Sequence, residues 1–493
     1  MQSWLGNIYS SRVRPPLYGR RGAVASAHPL ATAAGQHMLT VGGNAADAII
    51  AAQAVLCVIA PEACGLGGDM LALVLNGAGA HAAVTGTGSA PMAMTTAASD
   101  GPNSVTVPGI ASAWENLASE WGRLSLAAAL APAIELAQNG FLLSASLHQA
   151  VRGQHARLQR GGAADWCIAR AAVGERVRQP ELARLLIALA QNGARAFYEG
   201  DAAKAIVSVL ADQGGAMALE DLSAHRTEIA APIRVTFGSW QVAVQPPPTQ
   251  GVLLAMSLQA LNRLADVDGQ ELDHICIELT EAAFMHRASC GLGAALLEQE
   301  LVIDAAQASR RGGPRAYLHT AGVAASDLDG LTISSLVSVF DDFGSCVFLP
   351  DLGITLNNRA GGFTEGPNAA RPGAKPVHTL APAIVSAGAE RVAMATPGAD
   401  GQVQTLLQIL GRLCMKGERL ADAVDAPRWR SEGGALLIEE GHPAMAQLER
   451  RGHRLQPVPS GDMRFGAVVC AGVASGGPFA LSDWRRECWS GVA

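Results

Sequence analysis

The spacing of apolar positions changes along the chain and predicts helices first and strands later. Apolar residues recur every three or four positions over 124–139 and 181–192, and Gly140 and Gly193 follow these segments. This period and these stops are typical of amphipathic helices. From Gly330 onward the apolar runs are shorter and richer in β-branched residues, which favours strands.

The N-terminal part of the chain predicts a strand, two helices and a second strand, over 23–27, 28–41, 44–60 and 70–75. A Cys-Gly-Leu-Gly-Gly-Asp segment, 64–69, separates the second helix from the second strand. Such a turn requires glycine, either for a positive φ or for close backbone approach.

The C-terminal half predicts a layered α/β fold, because its strands are flanked by helices on both sides. A helix is expected over 253–264 and another over 403–415. Strands are expected over 331–340, 346–349, 354–356 and 383–386, and a strand over 467–473 is expected to close the sheet.

One short region combines an exposed loop with the start of a strand. The polar, glycine-broken stretch 310–315 precedes an apolar run that ends in Asp-Leu-Asp-Gly at 327–330. That tetrapeptide is a hairpin-turn signature. Thr320 is therefore expected to open a strand directly after an exposed loop.

The composition allows a large hydrophobic core and argues against nucleic acids and anionic membranes as partners. The 493 residues are 49% hydrophobic and 16% charged, with a net charge of -7. Nucleic acids and anionic membranes require clustered Lys and Arg, so neither is expected as a partner. The apolar stretch 45–61 is too short and too interrupted to span a bilayer.

The nine cysteines form no C-x-x-C pair, and several lie in apolar runs. Isolated buried thiols are expected rather than disulfides or a zinc site.

No signal peptide is apparent at the N-terminus, so a cytoplasmic location is expected. The chain has no nucleophile elbow, zinc helix or phosphate loop. We expect no metal and no cofactor, and these features alone indicate only an enzyme-sized α/β protein.

A series of motifs, in order along the chain, resembles the γ-glutamyltransferase family of N-terminal-nucleophile hydrolases. They occur at 23–31, 42–48, 65–69, 107–109, 343–345, 353–358, 376–382, 398–404 and 425–429. The match runs from about residue 12 to residue 475. Within the family, it resembles a divergent member of the oxamate amidohydrolase and cephalosporin acylase branch.

The resemblance implies a four-layer αββα sandwich and a precursor that cuts itself. The family's nucleophilic threonine stands seven residues before an Asp-x-Asp-Gly turn, which here selects Thr320. Cleavage between His319 and Thr320 would give a large subunit, 1–319, and a small subunit, 320–493. The liberated α-amine, with an ordinary pKa near ~8, can act as base for the threonine hydroxyl.

Further roles follow from the same resemblance. Ser338 matches the residue whose hydroxyl hydrogen-bonds the nucleophile. Gly398 and Ala399 match a Gly-Gly pair whose N–H groups form the oxyanion hole, before a helix whose N-terminus favours an anion. Alanine at position 399 keeps the N–H group but narrows the range of φ.

The positions that bind a γ-glutamyl group in the family are changed here. Ser89 stands in place of an arginine that binds the α-carboxylate, and His378 and Thr379 stand in place of a Ser-Ser pair. The acidic residue that binds the α-amine falls in 361–362, a Gly-Gly pair, and the asparagine position is Phe340. The loop 363–376 is also short for the family's lid. A serine cannot replace a bidentate arginine, so a glutamyl head should bind poorly.

We therefore expect an amidohydrolase or acyltransferase that cleaves a small amide other than glutathione. His378, Thr379, Ser89 and Arg359 are the candidate acyl contacts. One alternative is a genuine γ-glutamyl hydrolase or transferase with different contacts. Another is an uncut, inactive member with a binding or assembly role, favoured by the small Ala321-Gly322 pair after Thr320. Whether the processed subunits form a dimer stays open.

Overall fold

The structure is a computed structural model that describes residues 14–264, 269, 271–313 and 320–493. Its strands, in chain order, are β1 (Leu17–Tyr18), β2 (Gly22–Ser26), β3 (Asp69–Leu75), β4 (His81–Gly86), β5 (Phe141–Leu142), β6 (Arg176–Val177), β7 (Glu228–Ala230), β8 (Ile233–Phe237), β9 (Trp240–Val244), β10 (Ala321–Asp327), β11 (Thr332–Ser338), β12 (Phe348–Leu349), β13 (Ile354–Thr355), β14 (Ala383–Ala387), β15 (Glu390–Ala395), β16 (Trp429–Glu432), β17 (Ala435–Glu439), β18 (Leu455–Val458), β19 (Val469–Ala474), β20 (Gly477–Ser482) and β21 (Trp489–Val492).

The α-helices are α1 (Pro29–Thr40), α2 (Ala45–Ile59), α3 (Ile110–Trp121), α4 (Leu126–Asn139), α5 (Ala145–Arg160), α6 (Cys167–Arg170), α7 (Pro180–Asn192), α8 (Arg195–Tyr198), α9 (Asp201–Asp212), α10 (Leu219–Ser223), α11 (Gly251–Arg263), α12 (Leu272–Phe284), α13 (Gly401–Met415), α14 (Leu420–Asp425) and α15 (Met445–Arg450). Short 3-10 segments lie at Pro102–Ser104, Arg287–Glu298, Arg359–Gly362, Gly366–Asn368 and Met463–Phe465.

Two large sheets organise the fold. Sheet I has the order β21-β2-β10-β11-β3-β4-β7, and sheet II has the order β1-β20-β19-β15-β14-β9-β8. Every named pair within these two sheets is antiparallel. Each sheet contains strands from before and after residue 320.

Three apolar layers hold the sheets and helices together. The first, between sheet I and helices such as α2 and α4, is built from aliphatic side chains. The second lies between sheet II and the helices α11 and α13. The third lies between the two sheets and is rich in alanine, as in Ala324, Ala393 and Ala395. Small side chains let the sheets approach closely, because little volume has to be accommodated between them.

Helix α2 is buried along its whole length and begins at a capping box. The Asn44 side chain accepts from the N–H groups of Ala46 and Asp47, and the Asp47 carboxylate accepts from the N–H of Asn44 at 2.8 Å. These bonds satisfy N–H groups that a helix start leaves free. Asp327 adds a fourth bond by accepting from Ala45 N at 3.0 Å, which joins this helix to sheet I.

Several predictions from the pattern are confirmed. Helices α1, α2, α4, α7, α11 and α13 and strands β2, β3, β11 and β14 lie where they were expected. The predicted strand at 467–473 exists as β19, but the expectation that it closes the sheet was wrong. It lies inside sheet II between β15 and β20, because a further hairpin strand follows it.

All nine cysteines are free thiols, and seven of them are buried. This confirms the expectation of isolated buried thiols. None of the helices in the described ranges is long and apolar enough to cross a bilayer.

Candidate active site

Thr320 immediately precedes β10 and is 5% exposed. Its hydroxyl Oγ1 donates to Ser338 Oγ at 3.3 Å. The contact follows from the register, since Ala321 pairs with Val337 and Ser338 is the last residue of β11. The structure thus brings together the two residues that the sequence paired. His319, the other side of the predicted cleavage site, lies outside the described residues.

The Asp327–Gly330 turn sets this register, as the sequence predicted. Asp327 Oδ1 accepts from the N–H groups of Asp329 and Leu331, at 3.0 and 3.1 Å. Gly330 has a φ of 82°, which favours glycine. The tight turn fixes β10 against β11, and so fixes Thr320 opposite the end of β11.

A cavity of about 450 Å³ opens beside Thr320. This volume is in the range of small-molecule sites. Its walls are partly aliphatic and partly polar. They include Leu56, Ile59, Ala60, Ala63, His28, Glu62, Ser144, Ser146, Pro397, Met463, Trp484, Arg486 and Glu487. Burial lowers the pKa of His28 to about 4, so its imidazole is neutral at pH 7.

The predicted oxyanion loop lies between β15 and α13, directly after the cavity residue Pro397. Gly398 and Ala399 have φ values of 122° and 47°. Their carbonyl groups accept from Gly401 N and Gln402 N, while within the described residues their own N–H groups donate no hydrogen bond. Two N–H groups without acceptors before a helix N-terminus form a favourable environment for an anion.

Ala399 carries a positive φ without being glycine. The left-handed conformation costs an L-residue roughly 1–2 kcal/mol. The side-chain amide of Gln250 offsets this by donating to Ala399 O at 2.9 Å and to Thr379 O at 2.6 Å. The same glutamine therefore links the oxyanion loop to one of the predicted acyl contacts.

Asp69, Arg359 and His378 form a cluster, each fully buried. Asp69 Oδ2 lies 2.9 Å from Arg359 Nε and 3.2 Å from His378 Nε2. Burial acts to raise the pKa of Asp69, but the hydrogen bond from His378 and the charge of Arg359 lower it below its usual value. Asp69 also pairs with Ser338 across β3 and β11, so the cluster adjoins the residue that accepts from the Thr320 hydroxyl.

His378 is held as a neutral imidazole. Its Nδ1 accepts from Leu380 N at 3.2 Å, so Nε2 carries the proton and donates to Asp69. Burial, followed by the charge of Arg359, lowers its pKa to about 4. Both ring nitrogens are therefore engaged within the protein.

Arg359 uses one nitrogen of its guanidinium group. Its Nε contacts Asp69, and its carbon Cζ lies 4.6 Å from the centre of the Phe340 ring. Nη1 and Nη2 are buried and have no hydrogen-bond partner among the described residues. Burial lowers the pKa of Arg359, and the charge of Asp69 opposes that effect.

Ser89 lies elsewhere. It lines a second cavity of about 670 Å³ together with His225 and Lys375, and none of the residues lining this cavity also lines the Thr320 cavity. Ser89 is thus not brought to the Thr320 cavity. Arg359, His378 and Thr379 do not line that cavity either, although they lie near Ser338 or the predicted oxyanion loop.

Sequence reasoning missed Asp69 and Gln250 as site residues. Asp69 ended the glycine-rich motif 64–69, which was interpreted as a turn and as part of the family resemblance, with no role for its carboxylate. A carboxylate directly after such a turn, at the start of a wholly buried strand, was the available signal. Gln250 carried no signal of its own, since its partners are more than a hundred residues away.

One group in the described residues has metal-ligand geometry. Ligand atoms of His274, Glu278 and His453 lie within 4.8 Å of one another. His274 Nδ1 and His453 Nε2 are 2.8 Å apart and share a hydrogen bond, and Glu278 accepts from Ser309 N at 2.9 Å. These contacts explain the group without a metal, and its three residues do not line the Thr320 cavity.

A family model described as gamma-glutamyltranspeptidase matches residues 31–491. The chain belongs to the gamma-glutamyltranspeptidase family. It is 33% identical to the glutathione hydrolase-like YwrD proenzyme of Bacillus subtilis, over 83% of this chain and 85% of that protein. It is also 33% identical to the oxamate amidohydrolase proenzyme of Klebsiella pneumoniae, over 88% and 91% of the two chains.

A solved structure gives the same relationship. The crystal structure of cephalosporin acylase from Bacillus halodurans matches with a TM-score of 0.89 and 28% identity, covering 100% of this chain and 99% of that chain. The family and these relatives are N-terminal-nucleophile hydrolases, acylases and transpeptidases. This gamma-glutamyltranspeptidase family member is therefore an enzyme with an amidohydrolase-type role.

Proposed function

We propose that this family member is a self-processed amidohydrolase that cleaves a small amide through an acyl-Thr320 intermediate. One observation carries the proposal: Thr320 immediately precedes β10 and lines a cavity of about 450 Å³, with its hydroxyl 3.3 Å from Ser338 Oγ. A threonine in that position becomes an N-terminal nucleophile once the bond before it is cut. The relatives named proenzymes support processing here.

The base and the nucleophile of the proposed reaction are the α-amine and the hydroxyl of Thr320, and processing would free the α-amine. The α-amine of Thr320 takes the hydroxyl proton as Oγ1 attacks the amide carbonyl carbon, forming a tetrahedral intermediate. The C–N bond then breaks, and the leaving amine departs with that proton, leaving an ester on Thr320. A water molecule, deprotonated by the same α-amine, then attacks the ester carbonyl carbon. The C–Oγ1 bond breaks, the α-ammonium returns its proton to Oγ1, and the acid is released.

Ser338 and the oxyanion loop support these steps. Ser338 Oγ orients the Thr320 hydroxyl, while Phe340 N donates to Ser338 Oγ at 3.0 Å and holds it in place. We assign the N–H groups of Gly398 and Ala399 to the negatively charged oxygen of the intermediate. Donors fixed in a site that excludes water favour the transition state, and losing one typically costs about 10²–10³ in rate.

Processing would divide the chain into a large subunit, 1–319, and a small subunit, 320–493. We further propose that the two sheets and their covering helices form the αββα sandwich of the N-terminal-nucleophile hydrolases. Both subunits would then contribute strands to both sheets.

The substrate we propose is a small amide other than glutathione. Ser89 lies in the second cavity, and 361–362 offers no carboxylate for an α-amine. His378 has no ring nitrogen to spare for a ligand, so we assign it to positioning Asp69. The oxamate amidohydrolase relative is consistent with a small acyl group.

Intact-mass analysis of the purified protein tests the nucleophile. We expect wild type to give two fragments, the smaller beginning with Thr320. Thr320→Ser, which keeps the hydroxyl, should still be cut. Thr320→Ala should stay as one chain and hydrolyse no amide. An uncut and inactive wild type would reject the hydrolase and favour a binding or assembly role.

A genuine γ-glutamyl hydrolase is the second candidate, since one relative is named glutathione hydrolase-like. Turnover of a chromogenic γ-glutamyl anilide should be compared with turnover of simple amides by the same processed protein. We expect the simple amides to be preferred. Strong glutamyl turnover would instead favour the second candidate.

A further inference from the structure

Three buried side chains outside the Thr320 cavity bring their metal-binding atoms together. His274 and Glu278 are four residues apart on α12, so they share one face of that helix. His453 lies between α15 and β18 and reaches the same point from a distant part of the chain. The ligand atoms of all three lie within 4.8 Å of one another. Since His453 stands 179 positions from His274, no local sequence pattern marks this group.

The hydrogen bonds of the two imidazole rings define where their protons lie. His274 Nε2 is 3.0 Å from Asp304 O, a carbonyl oxygen that can only accept, so Nε2 carries the proton and Nδ1 presents a lone pair. His453 Nε2 is 2.8 Å from that Nδ1 and therefore donates to it. Without an ion, one shared proton satisfies both rings. Moving this proton to the other nitrogen of His453 turns two lone pairs toward one point and leaves both rings neutral.

The surroundings of the group are those that orient metal ligands. A metal-bound histidine usually donates its outer N–H to a carbonyl group or a carboxylate, and a metal-bound carboxylate usually accepts further hydrogen bonds. The outer N–H of His274 is bonded to Asp304 O. The Glu278 carboxylate accepts from Ser309 N at 2.9 Å and from Ser309 Oγ. Both ligands on α12 are therefore held in place before any ion arrives.

The donor atoms and their charge favour zinc. Two imidazoles and a carboxylate are a zinc ligand set, whereas calcium and magnesium prefer oxygen ligands. Ligand atoms of a tetrahedral zinc site are about 3.4 Å apart, so the 2.8 Å between His274 Nδ1 and His453 Nε2 has to widen only slightly. The adjacent Arg451 is paired with Glu271 at 2.5 Å, which leaves the Glu278 carboxylate to balance the ion.

The segment 304–309 runs over the group and gives an ion a way in. It contains no helix or strand, and five of its six residues are exposed. It is attached to the group through Asp304 O and Ser309, as described above. A small displacement of this segment opens the site to solvent, and a metal site requires such a path.

We propose that His274, Glu278 and His453 bind one zinc ion, with water at the fourth position. The site lies apart from the proposed chemistry, since its three residues do not line the Thr320 cavity. It joins α12, in the region 1–319, to the loop before β18, in the region 320–493. Zinc therefore links the two subunits that the proposed cleavage would produce, and only this second part rests on the proposed function.

Zinc binding should be measured with the Thr320→Ala protein, so that one uncut chain is titrated. The chain is first treated with a chelator and freed of any affinity tag. Isothermal titration calorimetry with zinc should then show one site per chain, and excess calcium or magnesium should not compete. An absence of zinc binding, or displacement of zinc by calcium, would overturn the proposal.

Substitutions made in the same protein locate the site. His453→Gln removes one ligand, while its amide can still donate to His274 Nδ1 and keep the metal-free fold. Its affinity for zinc should fall by at least about 100-fold, because changes to groups that merely orient ligands already cost about 10- to 100-fold. Ser309→Ala, which loses one orienting bond, should lower the affinity by about 10-fold.

His442→Gln is the matched control, since His442 is another buried histidine of the region 320–493 and is not part of the group. Its zinc affinity should equal that of the parent protein. Circular dichroism checks that each variant is folded. A folded His453→Gln protein that binds zinc as tightly as the parent would contradict the assignment of this ligand and overturn the proposal.

Cobalt in place of zinc separates this site from the nine free thiols. Cysteine ligands give sulfur-to-cobalt charge-transfer absorption in the near ultraviolet, whereas imidazole and carboxylate ligands do not. We expect the visible absorption of bound cobalt without that band. A near-ultraviolet band would place the metal on cysteines and reject the site.

The processed wild type tests the link between subunits. The urea concentration at which the two fragments separate should be higher with saturating zinc than with chelator, because the ion binds only the assembled form. His453→Gln should show no such shift. Zinc binding without a shift would refute the link and leave the site intact. An uncut wild type would reject the proposed function, while titration of the uncut chain would still decide whether zinc binds.

Discussion

At the scale of single residues, the buried cluster shows how three ionisable side chains share one ion pair. Asp69 is the common acceptor for Arg359 and His378. Burial would favour its neutral form, yet the two partners lower the pKa of Asp69. For His378, burial disfavours the protonated form, and its two hydrogen bonds require a neutral ring. Its protonation is therefore coupled to folding.

This coupling predicts a pH dependence of stability. Burial lowers the pKa of His378 from 6.5 to about 4, so between these values the unfolded chain binds more protons than the folded one. The free energy of unfolding should then fall as the pH drops from 6.5 to 4, by roughly 1 kcal/mol per pH unit from this residue. Urea unfolding at several pH values measures the slope.

His378→Asn provides the comparison, because an amide can still donate to Asp69 and does not titrate. Both proteins should carry Thr320→Ala, so that a single uncut chain unfolds. The slope should be shallower in the His378→Asn protein. Equal slopes would show that His378 does not carry this part of the pH dependence.

At the scale of elements, the turn before β3 needs glycine because other backbone segments pack close to it, and not because its residues adopt a positive φ. None of Gly65, Gly67 and Gly68 has a positive φ. A Cβ atom at Gly68 would collide with the carbonyl oxygen of Ser338, and one at Gly67 with that of Thr355. The turn therefore packs directly against the residue that contacts the nucleophile.

Gly68→Ala should displace the end of β11 and impair the site. We expect a loss of about 1–3 kcal/mol in the free energy of unfolding, as for other overpacked positions, and slower self-cleavage. Gly65→Ala is the control, since its nearest neighbour would be Val339 Cγ1 at 3.9 Å. Thermal unfolding and the time course of cleavage measure both effects. Equal cleavage rates in the two variants would contradict this role for the turn.

The elements also show what the sequence could predict. The hairpin of β10 and β11 followed from its turn residues, and α2 followed from its apolar run. The strands β4, β15 and β20 were missed, although each lies within a sheet. Their sequences carry a weak strand signal, because β-branched residues are few in them and tertiary packing decides the structure.

The site divides in the same way. Thr320 and Ser338 were paired by the resemblance to the family, and in the structure a local turn sets the register that brings them together. The pairing of Asp69 with Arg359 joins residues 290 positions apart, so it depends on the assembled sheet. No local pattern marks such a contact.

At the scale of the whole molecule, the proposed cut would pass through a structure whose halves are interleaved. In sheet I, β10 lies between β2 from the large-subunit region and β11 from the small-subunit region. In sheet II, β14 pairs with β9 across the same division. Neither region holds all the strands of sheet I or all those of sheet II.

The two fragments should therefore stay together after cleavage. We expect them to co-elute in size-exclusion chromatography in native buffer and to separate only in denaturant. The region 320–493 produced alone should not fold, because β10 and β11 would each lose a neighbour. Circular dichroism and chromatography of that fragment check this. A stable, folded small subunit would contradict the interleaved arrangement.

The alanine-rich layer between the sheets has a consequence for catalysis. Thr320 precedes β10 and Ser338 ends β11, both strands of sheet I, whereas Gly398 and Ala399 follow a strand of sheet II. In the proposed reaction, the gap between the Thr320 hydroxyl and the N–H groups of Gly398 and Ala399 would thus depend on the thickness of a spacer made of methyl groups, such as those of Ala324 and Ala395. A shift of about 1 Å in such a gap can cost about 10²-fold in rate. We therefore expect the volume of side chains in this layer to affect the rate of the proposed reaction.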